Sequence, residues 1–196
     1  MKASARSLLL LAALSGLLTT QDGAQAAAEG KQAGEAPASV SAPSPAEIAR
    51  LRKAASRGDA QAQYDLAVAL DCGRGVKRDQ GRALQWLTQA ASDGHVAAQS
   101  ALGWKYMTGE GVPRDDATAF RWIRRAAESG DTSAQNNLGI LYAQGRGVEA
   151  DLVEAEKWFR LAAEKGAADA QRNLDALLAG RGRGMRPSSE PPLNRT

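Results

Sequence analysis

Two residue types on which metal centres and nucleophilic sites depend are almost absent from this sequence. Its 196 residues include one cysteine, Cys72, and one histidine, His95. A structural zinc site takes about four ligands, most of them cysteine or histidine, so these two residues cannot build one. Acid–base catalysis by His95 would need an oriented partner, and the sequence shows none. We therefore expect no metal, no cofactor and no catalytic residue, and we expect His95 to be an exposed residue at the start of a helix.

A hydrophobic run long enough to span a membrane is also lacking. The apolar stretch Leu8–Leu18 is shorter than the roughly 20 residues that a spanning helix requires. It follows Lys2 and Arg6 and precedes the small-x-small sequence Ala24–Ala26, an order typical of a secretory signal peptide. We expect residues 1–26 to be cleaved, with an uncleaved anchor as the weaker alternative. The mature protein is then periplasmic or secreted and has no stable membrane anchor.

An excess of positive charge is confined to one end of the chain. The formal net charge is +3, and the segment from Gly180 onward contains four arginines and one glutamate. Residues 27–179 are therefore close to neutral and lack the basic stripe that phosphate binding needs, so we expect no nucleic-acid partner. Low apolar content predicts a disordered linker at 27–44 and a disordered basic tail at 180–196.

What the sequence does contain is a repeat of 36 residues. Trp86, Trp122 and Trp158 follow one another at this spacing. A fixed period of this length is typical of a solenoid, in which each unit buries its apolar face against its neighbours. The same step relates four other sets of residues: Leu66, Leu102, Leu138 and Leu174; Gln63, Gln99, Gln135 and Gln171; Gly73, Gly109 and Gly145; and Asp79, Asp115 and Asp151.

Each unit is predicted to be a pair of helices. In the second unit Ala98, Leu102 and Tyr106 are four residues apart, which places them on one face of a first helix. A loop with two glycines follows, and after it Asp115 can cap a second helix whose apolar stripe includes Trp122. We therefore expect an all-α solenoid of helix pairs.

The pattern divides the chain into three complete units and two half units. The complete units are 59–94, 95–130 and 131–166. Before them, 45–58 has the features of a second helix alone and is predicted to cap the stack. After them, 167–179 has the features of a first helix and is predicted to cap the other end.

The paired glycines of the loops at 73–76, 109–112 and 145–148 could be mistaken for a phosphate-binding motif. A P-loop continues with lysine and a hydroxyl residue, and a dinucleotide-binding loop follows a strand. Neither feature accompanies these loops, which recur in every unit. We interpret them as structural turns.

One unit reads A-x-A-Q-x-x-L-G-x-x-Y-x-x-G-x-G-V-x-x-D-x-x-x-A-x-x-W-x-x-x-A-A-x-x-G. This pattern resembles the Sel1-like repeat family, a relative of the tetratricopeptide repeats. The match is nearly complete at 98–130 and 134–166 and looser at 62–94, where Ala67 and Leu70 replace the glycine and the tyrosine. The resemblance implies a right-handed superhelix of antiparallel helix pairs. It also implies a role as adaptor or scaffold, in bacteria often in the envelope.

The single cysteine separates this chain from one group that it resembles. Some exported Sel1-like proteins have a cysteine pair in each unit, and penicillin binding or hydrolysis is associated with that group. Cys72 has no partner for an internal disulfide, so the analogy to an enzyme is lost. In an oxidising compartment Cys72 would be a free thiol, a mixed disulfide or the link of a covalent dimer.

The first helices also present a second stripe of residues, about 200° around each helix from the core face. In tetratricopeptide-like stacks the first helices line the concave surface. Trp104 differs from Val68 and Ile140 at its position, and a tryptophan among polar side chains is typical of an interface hot spot, although packing between first helices explains it as well. Lys105 replaces an apolar residue and indicates local exposure. The predicted partner-binding residues are Tyr64, Val68, Ser100, Trp104, Lys105, Thr108, Asn136, Ile140 and Gln144.

These observations favour a non-enzymatic protein that binds another protein or a peptide on its concave first-helix face. The resemblance implies envelope signalling, exopolysaccharide export or flagellar motility as the setting. Three alternatives stay open: a β-lactamase-like enzyme of the cell wall, a glycan binder, and a secreted effector that acts in a host cell.

Overall fold

The structure, a computed structural model, describes residues 42–184, and of 181–184 it describes the helical backbone alone. This range forms eight helices and no strand, which confirms the predicted all-α repeat fold. The helices are α1 (Pro45–Ala55), α2 (Ala60–Cys72), α3 (Gln80–Ser92), α4 (Val96–Thr108), α5 (Asp116–Glu128), α6 (Thr132–Gln144), α7 (Leu152–Glu164) and α8 (Ala168–Gly184).

Aspartate side chains begin the three second helices, α3, α5 and α7, as predicted. Asp79, Asp115 and Asp151 each accept a hydrogen bond from a backbone N–H at the start of the helix that follows. These N–H groups have no partner within the helix, so the bond stabilises its first turn. The position of each second helix along the chain is thereby fixed.

The first helices end at glycine because the chain takes a left-handed conformation there. Gly109 has a φ of 82°, and its N–H donates to the carbonyl of Lys105. Gly73 and Gly145 lie in the same region of φ at the equivalent positions. Glycine adopts this conformation at little cost, and it lets the chain reverse so that the two helices of a unit pack side by side.

The core runs through the stack as a series of clusters between neighbouring helices. Leu102 and Ile123 of the second unit are completely buried, as are Leu138 and Phe159 of the third. Tyr106 packs against the cluster on each side of its own unit. Burial of apolar surface between neighbours therefore stabilises the stack as a whole.

The two ends of the stack differ from the prediction in extent. Helix α1 ends at Ala55, inside the predicted range 45–58. Helix α8 continues to Gly184, so the expectation that disorder begins at residue 180 is wrong for the first part of the predicted tail.

The remaining predictions for the termini fall on other residues. The signal peptide 1–26, the linker up to residue 41 and the tail from residue 185 lie outside the described residues. Where the described chain begins, Ser44 and Glu47 form a capping box that starts α1. Between residues 42 and 184 no helix combines the length and the apolar character needed to cross a membrane.

Candidate functional site

Trp104 presents an exposed aromatic ring on the first-helix face. It lies on α4 with 41% of its surface accessible, whereas Val68 and Ile140 at the same position of α2 and α6 are half-buried. One turn later the exposed Thr108 donates its hydroxyl hydrogen to the carbonyl of Trp104, at 2.9 Å. The ring is thus available to solvent, and the neighbouring hydroxyl is bonded to the helix itself.

Other residues of the predicted stripe contact the first helix of the next unit. The ring of Tyr64 stacks on the ring of His95, with centroids 4.7 Å apart. The hydroxyl of Ser100 donates to the carboxylate of Asp131, at 2.9 Å. The stacked rings and the hydrogen bond each join one first helix to the start of the next, so these residues take part in packing between units.

The same relation holds between α6 and α8. The side-chain amide of Asn173 donates to the amide oxygen of Asn136, at 2.9 Å. Ile140 packs against the cluster formed by the third unit and α8, and Gln144 is half-buried. The face therefore combines one exposed ring with half-buried amide, hydroxyl and aliphatic groups, a mixture that can contact both the main chain and an apolar side chain of a peptide.

The sequence suggested that His95 is an exposed residue at a helix end. In the structure it does begin a helix, but it is half-buried and both ring nitrogens have hydrogen-bond partners. Its Nδ1 accepts from the N–H of Ala98, so the ring caps α4. Its Nε2 lies 3.0 Å from Oε1 of Gln61, which can only accept, so Nε2 carries the hydrogen. With the stack on Tyr64, this half-buried ring connects the first two units.

The expectation that Lys105 marks an exposed site is wrong. Only 14% of its side chain is exposed, and its ammonium group lies 3.0 Å from the carboxylate of Asp71 on α2. Glu110 is a more distant second partner, at 4.0 Å. The lysine lies in an apolar position because Asp71 offers a partner across the interface between units, which the sequence of one helix does not show.

Cys72 is exposed at the end of α2 and has a free thiol. The sequence contains no second cysteine, so the predicted covalent dimer stays a prediction. Within the part of the chain that the structure describes, no group of three or more histidine, cysteine, aspartate and glutamate side chains is placed to hold a metal ion.

The sequence did not show which residues join one first helix to the next. For His95 a signal was available, since Asp59 and Asp131 occupy its position in the neighbouring units and both cap their helices. For the bond between Asn136 and Asn173 there was none. It depends on the distance between two helices, which no pattern within one unit encodes.

Comparison with known proteins identifies the repeat. The family model for the Sel1 repeat matches residues 60–95, 96–131 and 132–166, which agree with the three predicted units to within one residue. A search of the curated proteins gives no match. Sel1 repeats generally mediate protein–protein interactions, and the family is typically a non-enzymatic scaffold.

Two repeat proteins are among the solved structures that are similar to this one. A Sel1 repeat protein from Oxalobacter formigenes is 38% identical with a TM-score of 0.63, over 65% of this chain and 96% of that one. A protective antigen of uropathogenic Escherichia coli with an SLR fold is 41% identical with a TM-score of 0.64, over 68% of this chain but 29% of that protein. Since three consecutive repeats match over more than half of the sequence, the chain belongs to the Sel1 repeat family.

Proposed function

We propose that the protein is a non-enzymatic scaffold that binds another protein, or a peptide, on its first-helix face. The observation that carries the proposal is the exposure of Trp104. A tryptophan ring buries a large apolar area when a partner covers it, and such residues often provide most of the energy of an interface. The general role of Sel1 repeats in protein interaction supports the same conclusion.

Bonds between neighbouring first helices support the choice of this face. Lys105 pairs with Asp71, and Ser100 bonds to Asp131, so successive first helices are held close together. On the side of the second helices, a groove of about 520 Å³ lies between α1 and α3. A stack whose helices lie closer together on one side curves toward that side, which favours a concave first-helix face.

The side chains around Trp104 suit an extended peptide. The side-chain nitrogen of Asn136 can donate to a peptide main chain, and Gln144 can both donate to it and accept from it. Trp104 and the half-buried Ile140 offer apolar contact to the side chains between those bonds. The bound peptide would then form main-chain hydrogen bonds with the amide side chains and would cover the ring of Trp104.

The setting that we propose is the periplasm or the cell exterior, because residues 1–26 have the order of a signal peptide. Envelope signalling, exopolysaccharide export and motility are the systems in which such a scaffold would act. Fractionation of the native cells tests the setting: the protein should be found in periplasm or medium, and recovery from cytoplasm alone would contradict it.

Site-directed photo-crosslinking in the native cell tests the binding face. A photoreactive residue at position 104, 140 or 64 should give one dominant adduct, to be identified by mass spectrometry. The matched control is position 153 on α7, since Val153 is also an apolar residue, with 58% of its surface exposed, but belongs to a second helix. Loss of the adducts from positions 140 and 64 in Trp104→Ala, by tenfold or more, would support the assignment.

Two outcomes would contradict the proposal. The first is the absence of any adduct from the three first-helix positions. The second is an identical set of adducts from position 153, because this would indicate contact without preference for a face. In either case the first-helix face is not the binding surface.

A further inference from the structure

The groove between α1 and α3 opens on the second-helix side of the stack. Its volume is about 520 Å³, Trp86 forms its apolar wall, and the buried Leu66 and Leu70 lie at its floor. Grooves of this volume are large enough to enclose a bulky side chain together with its neighbours. The function proposed above does not use this groove.

The groove is open because the first unit lacks a tyrosine that the other units have. In the third unit the ring of Tyr142 meets the ring of Phe120, on the preceding second helix, edge to face at 5.5 Å. In the first unit Leu70 takes the position of Tyr142, and Ile48 takes that of Phe120. Neither aromatic ring is present at this junction.

Trp86 also lacks the cover that its counterpart has. The guanidinium group of Arg125 lies over the ring of Trp122, 4.9 Å from its centre. In the first unit Gln89 takes the position of Arg125, and its amide donates to the carboxylate of Asp93, at 3.1 Å to either oxygen. Among the described side chains, no guanidinium group covers the ring of Trp86 in this way. The ring is half-buried, and its accessible part forms a wall of the groove.

The rim of the groove is basic. Arg52 and Arg82 line it together with Gln85 and Gln89, and no acidic residue does. Arg52 makes no ion pair with any residue between 42 and 180. Arg82 pairs with Asp79 through Nε, at 3.1 Å, and 68% of its side chain is still exposed. Two guanidinium groups are thus positioned to donate hydrogen bonds to carboxylates of a partner.

We propose that this groove binds an acidic peptide segment of another protein, with one aromatic side chain in the space that Leu70 leaves open. The aromatic ring would pack against Trp86, Leu66 and Leu70, and carboxylates on either side of it would pair with Arg52 and Arg82. The basic rim favours an acidic partner because the charges are complementary. The absence of the tyrosine found in the other units favours an aromatic side chain at that position. The site lies on a different face from Trp104 and does not depend on the function proposed for that face.

Selection of displayed random peptides on the purified full chain tests this proposal. The expected result is enrichment of peptides with one aromatic residue flanked by aspartate or glutamate. The decisive variant is Leu70→Tyr, which restores the residue found at positions 106 and 142 and fills the groove. We expect Leu70→Tyr to weaken binding of a selected peptide at least tenfold, measured by fluorescence anisotropy, while its circular dichroism spectrum is unchanged.

A second variant and a control make the result independent of Leu70→Tyr. Arg52→Glu changes an exposed side chain and should also weaken the selected peptide at least tenfold, whereas Trp104→Ala should leave its affinity unchanged. Selected peptides without acidic residues, or peptides that bind Leu70→Tyr as well as the original protein, would overturn the proposal. Peptides that lose affinity only in Trp104→Ala would overturn it too and would instead favour the first-helix face.

Discussion

Small residues set the distance between the two helices of a unit. A Cβ atom added at Gly103 would lie 2.5 Å from Cγ1 of Ile123 and 3.0 Å from its backbone nitrogen. At Gly139 the same atom would lie 2.6 Å from the ring of Phe159. At Gly103 the second helix would have to move, because its backbone is part of the contact, whereas at Gly139 the contact is with the side chain of Phe159 alone. Glycine at this position therefore determines how closely α4 approaches α5.

We predict that Gly103→Ala destabilises the protein by about 1–3 kcal/mol, since the added methyl group overpacks the junction of the two helices. Urea unfolding followed by circular dichroism measures the change. The matched control is Gly81→Ala on α3, where the added Cβ would meet Asp79 at an ordinary 3.6 Å. That exchange should stabilise the protein by about 1 kcal/mol through helix propensity. Equal effects of the two exchanges would show that close approach is not the cause.

At the scale of the element, a buried glutamine joins α1, α3 and α5 to the first helix that follows each of them. The amide of Gln99 donates to the carbonyl of Ala91 at the end of α3, at 3.1 Å, and Gln135 makes the same bond to Ala127. Both side chains are buried. Since the last carbonyls of a helix have no partner within it, this bond stabilises the helix end and fixes the position of the next helix.

We predict that Gln99→Glu destabilises the protein by about 3 kcal/mol at neutral pH, because it buries a carboxylate against a carbonyl oxygen. Burial raises the pKa of such a carboxyl. As the pH falls, the group becomes protonated and can donate to the carbonyl of Ala91, so the loss of stability should become smaller. Urea midpoints at pH 7 and pH 5 measure this. Gln171→Glu on α8 is the control, because Gln171 is exposed and bonds to Asp175. A comparable loss of stability in Gln171→Glu would show that the buried position of Gln99 is not the cause.

At the scale of the whole molecule, the units are joined to their neighbours by bonds that cross from one to the next. Arg146, in the loop of the third unit, donates to the carboxylate of Asp116 on α5 at 2.7 Å and to the carbonyl of Met107 at 2.7 Å. Arg114 donates to the same carboxylate. Hydrogen bonds from these two guanidinium groups hold the pKa of Asp116 well below its usual range.

We predict that Asp116→Asn lowers stability by about 1 kcal/mol at pH 7, since it removes a charge-assisted contact between units that is partly exposed. A depressed pKa contributes stability that is present above the unfolded value of about 4 and is lost as the pH falls toward the folded value. The difference in the free energy of unfolding between the variant and the original protein should therefore become smaller as the pH is lowered from 5 to 3. Urea midpoints at these values measure it, with the highly exposed Asp169 as the control site for the same exchange.

Most of the fold could be predicted from the sequence because the same cap, turn and apolar positions recur in every unit. The 36-residue step located the aspartate caps and the glycine turns, and the structure has them at Asp115 and Gly109 as expected. The candidate site was predicted less well. Lys105 was expected to be exposed, but it is paired with Asp71, which belongs to the preceding unit and lies 34 residues earlier in the sequence. Side-chain partners at this separation depend on how the helices pack.

The sequence by itself determined the number of units, the order of their helices and the family. Helix caps, turns and apolar stripes are local properties, so their repetition encodes the architecture without reference to distant residues. Only the tertiary structure decided which surfaces remain open. Trp104 is exposed and Tyr64 is stacked, although they lie on one stripe, because the neighbouring first helix offers a ring only to Tyr64. The groove beside Trp86 is likewise lined by residues of three helices, α1, α2 and α3, which no single unit contains.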